Sequence, residues 1–274
     1  MIRYTKGHGT ENDFVIVPDP DGTLAVDPSW VAAICDRRAG LGADGLLRVV
    51  PTAKMPGYEG DAPEAPWFMD YRNGDGSIAE MCGNGVRVFA RYLVDAGLAE
   101  PGRFGVATRG GVKAVQVPAD GGDVTVDMGV PRWPSATARI AWDGFEAESV
   151  HVDMGNPHAV VFVADVAEAG ALTQAPVWQP AEAYPNGVNV EFVAPVGPQH
   201  IAMRVFERGV GETRSCGTGA CAAMIAAARR DGAGPGTPYT VDVPGGRLLI
   251  VEREDGRVEM TGPAVLVADG VLRD

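Results

Sequence analysis

Two short strings in this 274-residue chain carry residue types and spacing that point to chemistry: Cys82-Gly83-Asn84-Gly85 and Cys216-Gly217-Thr218-Gly219. Each cysteine stands just before a run that reads as a helix, residues 84–95 and 218–230. The N–H groups at a helix start have no partner inside the helix, and the helix dipole points its positive end there, so anions are favoured. A thiol in that setting is expected to have its pKa lowered from about 8.5 into the range of roughly 3.5–7.5, giving thiolate at neutral pH. The same N–H groups, on Gly83, Asn84, Gly217 and Thr218, can grip a carboxylate.

A carboxylic acid held between two sulfurs suits 1,1-proton transfer. One thiolate removes the α-proton from one face, and the other thiol delivers a proton to the opposite face. The carbanion-like state between those steps needs electrostatic stabilisation, which two helix starts in a dry cleft would supply. The spacing fits this picture. The two cysteines are 134 residues apart, nearly half the chain. Asn12 and Asn156, each just ahead of a β-branched run, are separated by 144. Both halves therefore read as asparagine and strand first, Cys-Gly-x-Gly helix later, the mark of two lobes related by a pseudo-twofold axis. A substrate in the cleft would meet Cys82 on one side and Cys216 on the other.

Other readings of the thiols remain open on residues alone. A disulfide between Cys82 and Cys216 is one, and a zinc site drawing in His158 is another. The chain has no C-x-x-C string and no closely spaced histidine pair, so no metal is expected. Cys35 and Cys221 sit among apolar helical neighbours and read as small buried hydrophobes.

The elements that must position these groups are mostly strands. Runs rich in β-branched residues occur at 13–17, 46–50, 112–117, 124–128, 159–163, 188–193, 201–206, 239–243 and 248–251. Besides the two cysteine-led helices, residues 28–37 read as a helix entered through Asp27-Pro28. The helix after Cys216 has no charge up to Ala228, so it belongs inside a sheath of strands. The helix after Cys82 carries Arg87 and Arg91, which predicts one edge in solvent. The fold class expected is α+β: two pseudo-symmetric lobes of mixed and antiparallel strands wrapped around a central helix, with the active site in the cleft between them. The boundaries read as 1–130, joined by the C-terminal strands 262–274, and 131–261. The proline- and glycine-rich stretch 51–66 reads as a surface loop.

Composition narrows the function classes. Hydrophobic residues make up 46% and charged residues 22%, which is ordinary for a packed domain. A net charge of −13 argues against nucleic acid or an anionic membrane as partner. No apolar run is long enough to span a bilayer, and no secretory signal is visible, so reduced thiols and a cytoplasmic location are expected. The only lysines are Lys6, Lys54 and Lys113, none in a recognisable Schiff-base setting, so a pyridoxal enzyme is not expected.

The strings 73–77 (NGDGS), 81–87 (MCGNGVR), 155–158 (GNPH), 207–213 (ERGVGET) and 216–220 (CGTGA) together resemble the diaminopimelate epimerase family. The resemblance covers nearly the whole chain. It implies a cofactor-independent isomerase that interconverts LL- and meso-2,6-diaminopimelate in lysine and peptidoglycan-precursor biosynthesis. It implies Cys82 and Cys216 as the acid/base thiols, with His158 assisting Cys82 and Glu207 assisting Cys216. Arg208, Asn73, Asn189 and Glu207 would hold the distal amino-acid centre, and Asn12 and Asn156 would line the reacting end. A homodimer is the family's leaning. Gly45 stands where the family often has a glutamine, so that wall is expected to lack a hydrogen bond or to take it from Asp44 or water. The alternative is a related racemase or epimerase of the proline or hydroxyproline type, which should lack the charged distal reader. A phenazine-pathway isomerase would lack the paired cysteines. A non-catalytic redox or zinc-binding protein would show reversible disulfide formation or bound metal.

Overall fold

A two-residue turn at Thr10-Glu11 folds the N-terminal stretch into a first hairpin, β1 (Ile2–Gly9) and β2 (Asn12–Pro18). In the computed structural model, which describes residues 1–60, 63–135 and 137–273, the chain divides into two units, residues 1–126 with 262–274 and residues 127–261. In the first unit α1 (Pro28–Cys35) follows β2, starting at Asp27, whose carboxylate caps Ser29 N at 3.1 Å. Then β3 (Gly45–Pro51) joins β2 in parallel, β4 (Trp67–Asn73) pairs antiparallel with β3, and the C-terminal strand Val265–Leu272 runs antiparallel along β1.

β2 and β3 are buried almost throughout, because helices cover both of their faces. Val15, Val17 and Leu46 face α1 through Val31, Ile34 and Cys35. The alternate residues Phe14 and Leu47 face α2 (Gly83–Asp95) near Gly85. Strands β5 (Gly102–Val106), β6 (Lys113–Val117) and β7 (Val124–Gly129) then form an antiparallel meander, with α2 also against β6.

Arg87 corrects one expectation. It does not mark a solvent edge of α2: its side chain is wholly buried, and its guanidinium donates to Pro263 O (3.3 Å) and Thr10 Oγ1 (3.2 Å). Within the stretch 51–66, residues 61 and 62 lie outside the described residues, as does residue 274. The rest is more than a bare surface loop, since Met55 and Tyr58 pack on Val50, Ala65, Phe68 and Ala107.

The second unit is built the same way. It contains β8 (Arg139–Trp142), β9 (Phe145–Glu148), β10 (Val150–Asp153), β11 (Pro157–Phe162) and β12 (Val177–Gln179). After them come β13 (Asn189–Gly197), β14 (His200–Glu207) and the short β15 (Gly211–Thr213), then α3 (Gly217–Asp231). The unit closes with β16 (Pro238–Val243), β17 (Gly246–Glu252) and β18 (Val258–Gly262). Its large mixed sheet runs β10-β11-β13-β14-β16-β17-β18, and β12-β8-β9 form a separate small sheet.

Helix α3 is buried from Gly219 to Ala228 and touches β10, β11, β13, β14, β16 and β17. Its small, uncharged residues follow from that surround, since no face of the helix meets water. It ends at Gly232 in the left-handed conformation (φ 69°), with Ala233 N on Ala228 O at 2.9 Å. On the other face of β11 and β13, Ala159, Val161, Val190 and Phe192 pack against Ile140 and Trp142 of the small sheet. The architecture is α+β with few helices, each unit carrying one cysteine-led helix against a sheet.

Candidate active site

In the first unit, the β1–β2 turn delivers Asn12. Thr10 and Glu11 both have positive φ (49° and 61°), the type I′ geometry that matches the twist of a two-residue hairpin. A β-branched residue in that region is strained, and the hydrogen bond from Arg87 to the Thr10 hydroxyl helps hold it. At the start of β2, Asn12 Nδ2 donates to Asp44 Oδ2 at 2.8 Å. Its Oδ1 accepts from Asn84 Nδ2 (3.3 Å) and from the Cys82 thiol (3.5 Å).

Asp44 is itself fixed. Its other oxygen pairs with Arg37 at 2.6 Å, and Arg37 also binds Asp13 at 2.7 Å. Burial pushes the Asp13 carboxyl up, but hydrogen bonds and charge from Arg37 and Lys6 outweigh it and hold it at about 2. Cys82 is the residue preceding the first turn of α2, and no side chain caps that turn. A helix start without a side-chain cap suits an arriving carboxylate. Asn73, by contrast, is engaged within its own turn, its Nδ2 on Ser77 Oγ at 3.0 Å.

In the second unit the β10–β11 turn sets Asn156 and Pro157 ahead of His158. β11 pairs in parallel with β13, with His158 opposite Asn189. His158 is fully buried: Nδ1 lies 2.7 Å from Glu191 Oε1, and Nε2 lies 3.0 Å from Asn156 Oδ1. Asn189 Oδ1 accepts from Arg208 N at 2.9 Å and its Nδ2 donates to Pro157 O at 3.4 Å, so this amide ties the turn after β14 to the start of β11. Glu207 closes β14 and accepts a hydrogen bond from the Thr213 hydroxyl. Arg208 is exposed, with one guanidinium nitrogen on Asn186 O at 3.0 Å.

Cys216 caps α3. Its sulfur accepts from Gly219 N at 3.4 Å and lies 3.5 Å from Thr218 Oγ1. Those donors favour thiolate, yet the thiol is pushed well above its ordinary value, by burial first and then by the negative charges of Glu207 and Glu191. The expectation of a thiolate poised by the helix start is thus overturned for Cys216: burial and two carboxylates outweigh the hydrogen bonds from Thr218 and Gly219. Glu207 is raised in turn, by burial first and then by Glu191, against the lowering effects of Thr213, His158 and a hydrogen bond with Cys216. Sulfur and carboxyl are thus neighbours, each pushed toward its protonated form by burial and by nearby negative charge. All four cysteines are thiols, and burial pushes Cys35 up to about 11, in keeping with a structural role.

A family model described as diaminopimelate epimerase matches residues 4–134 and 150–267. The chain belongs to the diaminopimelate epimerase family. It is 63% identical to the diaminopimelate epimerase of Streptomyces coelicolor over 274 residues, covering 98% of this chain and 94% of that one. Among solved structures, a phenazine biosynthesis protein of the PhzF family from Bacillus anthracis superposes with a TM-score of 0.70 at 18% identity, covering 99% of both chains. A probable proline racemase from Agrobacterium radiobacter K84 also gives 0.70, at 15% identity, over 100% of this chain and 93% of that one. These two likenesses are of fold alone. The proline-type alternative has no more than that behind it.

Set against the epimerase family's usual glutamine, Gly45 has a steric reason. A Cβ built there would lie 2.5 Å from Arg72 O and 2.7 Å from Tyr71 Cε2, so this backbone leaves no room for a longer residue. Its neighbour Asp44 accepts from Asn12 Nδ2 and from Asp13 N. Two residues were given no role by the sequence reading, Glu191 and Thr213. Glu191 could have been found from its type, an acid two positions after Asn189 in an otherwise apolar strand. Thr213 had no signal beyond its place in the epimerase string.

Proposed function

We propose that this protein interconverts LL- and meso-2,6-diaminopimelate by 1,1-proton transfer between two thiols, without pyridoxal phosphate. The observation that carries the reading is the placement of Cys82 and Cys216 at the starts of α2 and α3 in a chain that matches the epimerase family in both halves. Inversion at carbon requires an acid and a base on opposite faces, and two thiols supply both roles in either direction.

The surroundings of each thiol divide the labour. Cys216 starts protonated and acts first as acid, and its pair with Glu207 restores or removes the proton between turnovers. Cys82 gives up its proton with help from His158 and acts as base when the substrate arrives. The N–H groups of Gly83, Asn84, Gly217 and Thr218 take the carboxylate at the reacting centre, and Asn12 and Asn156 line that end. Arg208 holds the distal carboxylate, with Asn73 and Asn189, and Glu207 accepts from the distal ammonium. Among the described residues no helix is long and apolar enough to cross a membrane. We place the enzyme in the cytoplasm, working as a homodimer.

Incubation with LL-diaminopimelate in D₂O under reducing conditions, without added pyridoxal phosphate, tests the reading. Proton NMR should show loss of the α-proton signal while chiral chromatography shows the meso isomer. No exchange, with the thiols confirmed reduced, would overturn the assignment and turn attention to proline and hydroxyproline.

A further inference from the structure

Glu191 is the buried acid that the reaction as described leaves unused. It lies on the face of β13 turned toward α3, in the run Asn189-Val190-Glu191-Phe192-Val193, and neither it nor His158 has any exposed surface. Its Oε1 sits 2.7 Å from His158 Nδ1, while Oε2 is buried with no hydrogen-bond partner. An ionised carboxylate only accepts, so the contact requires the hydrogen to be on Nδ1. Nε2 lies 3.0 Å from Asn156 Oδ1, an oxygen that also only accepts, so in this arrangement both ring nitrogens donate and His158 takes the imidazolium form; with Glu191 holding the Nδ1 hydrogen, Nε2 is the nitrogen whose proton can leave and return.

The fold makes room for this carboxylate at a definite point. A Cβ at Gly219 would lie 2.7 Å from Glu191 Oε1, so the second glycine of the Cys216 string is what admits the acid beneath the start of α3. Its counterpart Gly85 faces apolar Leu47 and Phe14 instead. The duplicated scaffold thus has an apolar floor under one thiol's helix and a charged floor under the other's. A buried carboxylate with one unsatisfied oxygen is costly, and a purely structural site would be better filled by an apolar residue.

We propose that Glu191 is the positioning residue of His158: it fixes the ring, places the hydrogen on Nδ1, and leaves Nε2 as the single proton-exchanging atom. This rests on the reading of His158 as an acid/base group. The carboxylate also stabilises the imidazolium formed when Nε2 takes a proton, as the aspartate of a Ser-His-Asp triad does. His158 is faced by Glu191 from β13, by Asn156 from its own turn, and at longer range by Glu207 from β14.

The test uses ¹⁵N-histidine-labelled protein, with His158 assigned through a His158→Gln variant, titrated from about pH 5 to about pH 9. In the wild type, neutral His158 should be the Nδ1–H tautomer. In Glu191→Gln its titration midpoint should fall by about one unit or more, and Glu191→Asp should keep the tautomer. The kcat of Glu191→Gln should drop at least about tenfold, with KM changed far less. The pH limb assigned to His158 should move down with it. An Nε2–H tautomer in the wild type, or an unmoved His158 titration in Glu191→Gln, would overturn the proposal. The wild-type spectrum decides the tautomer even if a variant fails to fold. The spectra also need no substrate: an inactive wild type with the Nδ1–H tautomer would sink the epimerase reading and leave the positioning role standing.

Discussion

Asp44 Oδ2 lies 2.8 Å from Asn12 Nδ2, and this contact decides which end of the Asn12 amide faces Cys82. A carboxylate can only accept, so the amide nitrogen must turn to Asp44 and the carbonyl oxygen to the thiol. An oxygen acceptor favours the protonated sulfur. Asp44→Asn removes the constraint, because an asparagine can donate to Asn12 Oδ1 and turn the amide nitrogen toward Cys82. Alkylation of Cys82 by iodoacetamide at neutral pH should then quicken several-fold, while epimerase turnover falls about 10-fold or more. Alkylation at the wild-type rate would contradict this account of the Asn12 orientation.

Glu207→Gln probes the raised carboxyl beside Cys216. A carboxyl raised in the folded state binds more protons there than in the unfolded chain. Its contribution to stability is therefore present below the ordinary glutamate range and is lost as pH rises through the raised value. Urea unfolding across that window should show wild-type stability declining more steeply with pH than that of Glu207→Gln. Epimerisation by the variant should fall about 10²- to 10⁴-fold. Equal pH slopes would mean that Glu207 titrates normally.

Gly219→Ala tests the room left for Glu191. Its Cβ would meet Glu191 Oε1 at 2.7 Å and Cys216 Cβ and Sγ at 3.3 Å. Such crowding should cost about 1–3 kcal/mol in unfolding free energy. Gly85→Ala meets only ordinary contacts of 3.4–3.5 Å with Cys82, Leu47 and Phe14 and should cost less. A reversed order of the two variants in urea unfolding would count against the close approach of Glu191 to α3.

Much of this was legible in the residues. The three helices and nine of the strands announce themselves through β-branched runs, an Asp-Pro entry and the apolar Cys216 helix. β1, β4, β5, β8, β9, β10, β12, β15 and β18 did not: β1 and β4 mix polar with apolar residues, and the other seven run to only three to five residues, too short for a pattern to show. The thiols were visible because their glycine settings repeat. What could not be read was the surround of Cys216: it is governed by burial and by Glu207 and Glu191, which reach it only through the register of β13 and β14. Arg87 was misread for the same reason. Its partners, Thr10 and Pro263, are distant in sequence and adjacent only once the sheet has formed.

The central claim is that both thiols are needed, one for each face of the α-carbon. Cys82→Ala and Cys216→Ala, each incubated with LL-diaminopimelate and followed by chiral chromatography, test it most directly. The account predicts that neither variant forms the meso isomer above background while both retain the wild-type unfolding profile. Turnover near the wild-type rate by either one would contradict the two-thiol mechanism.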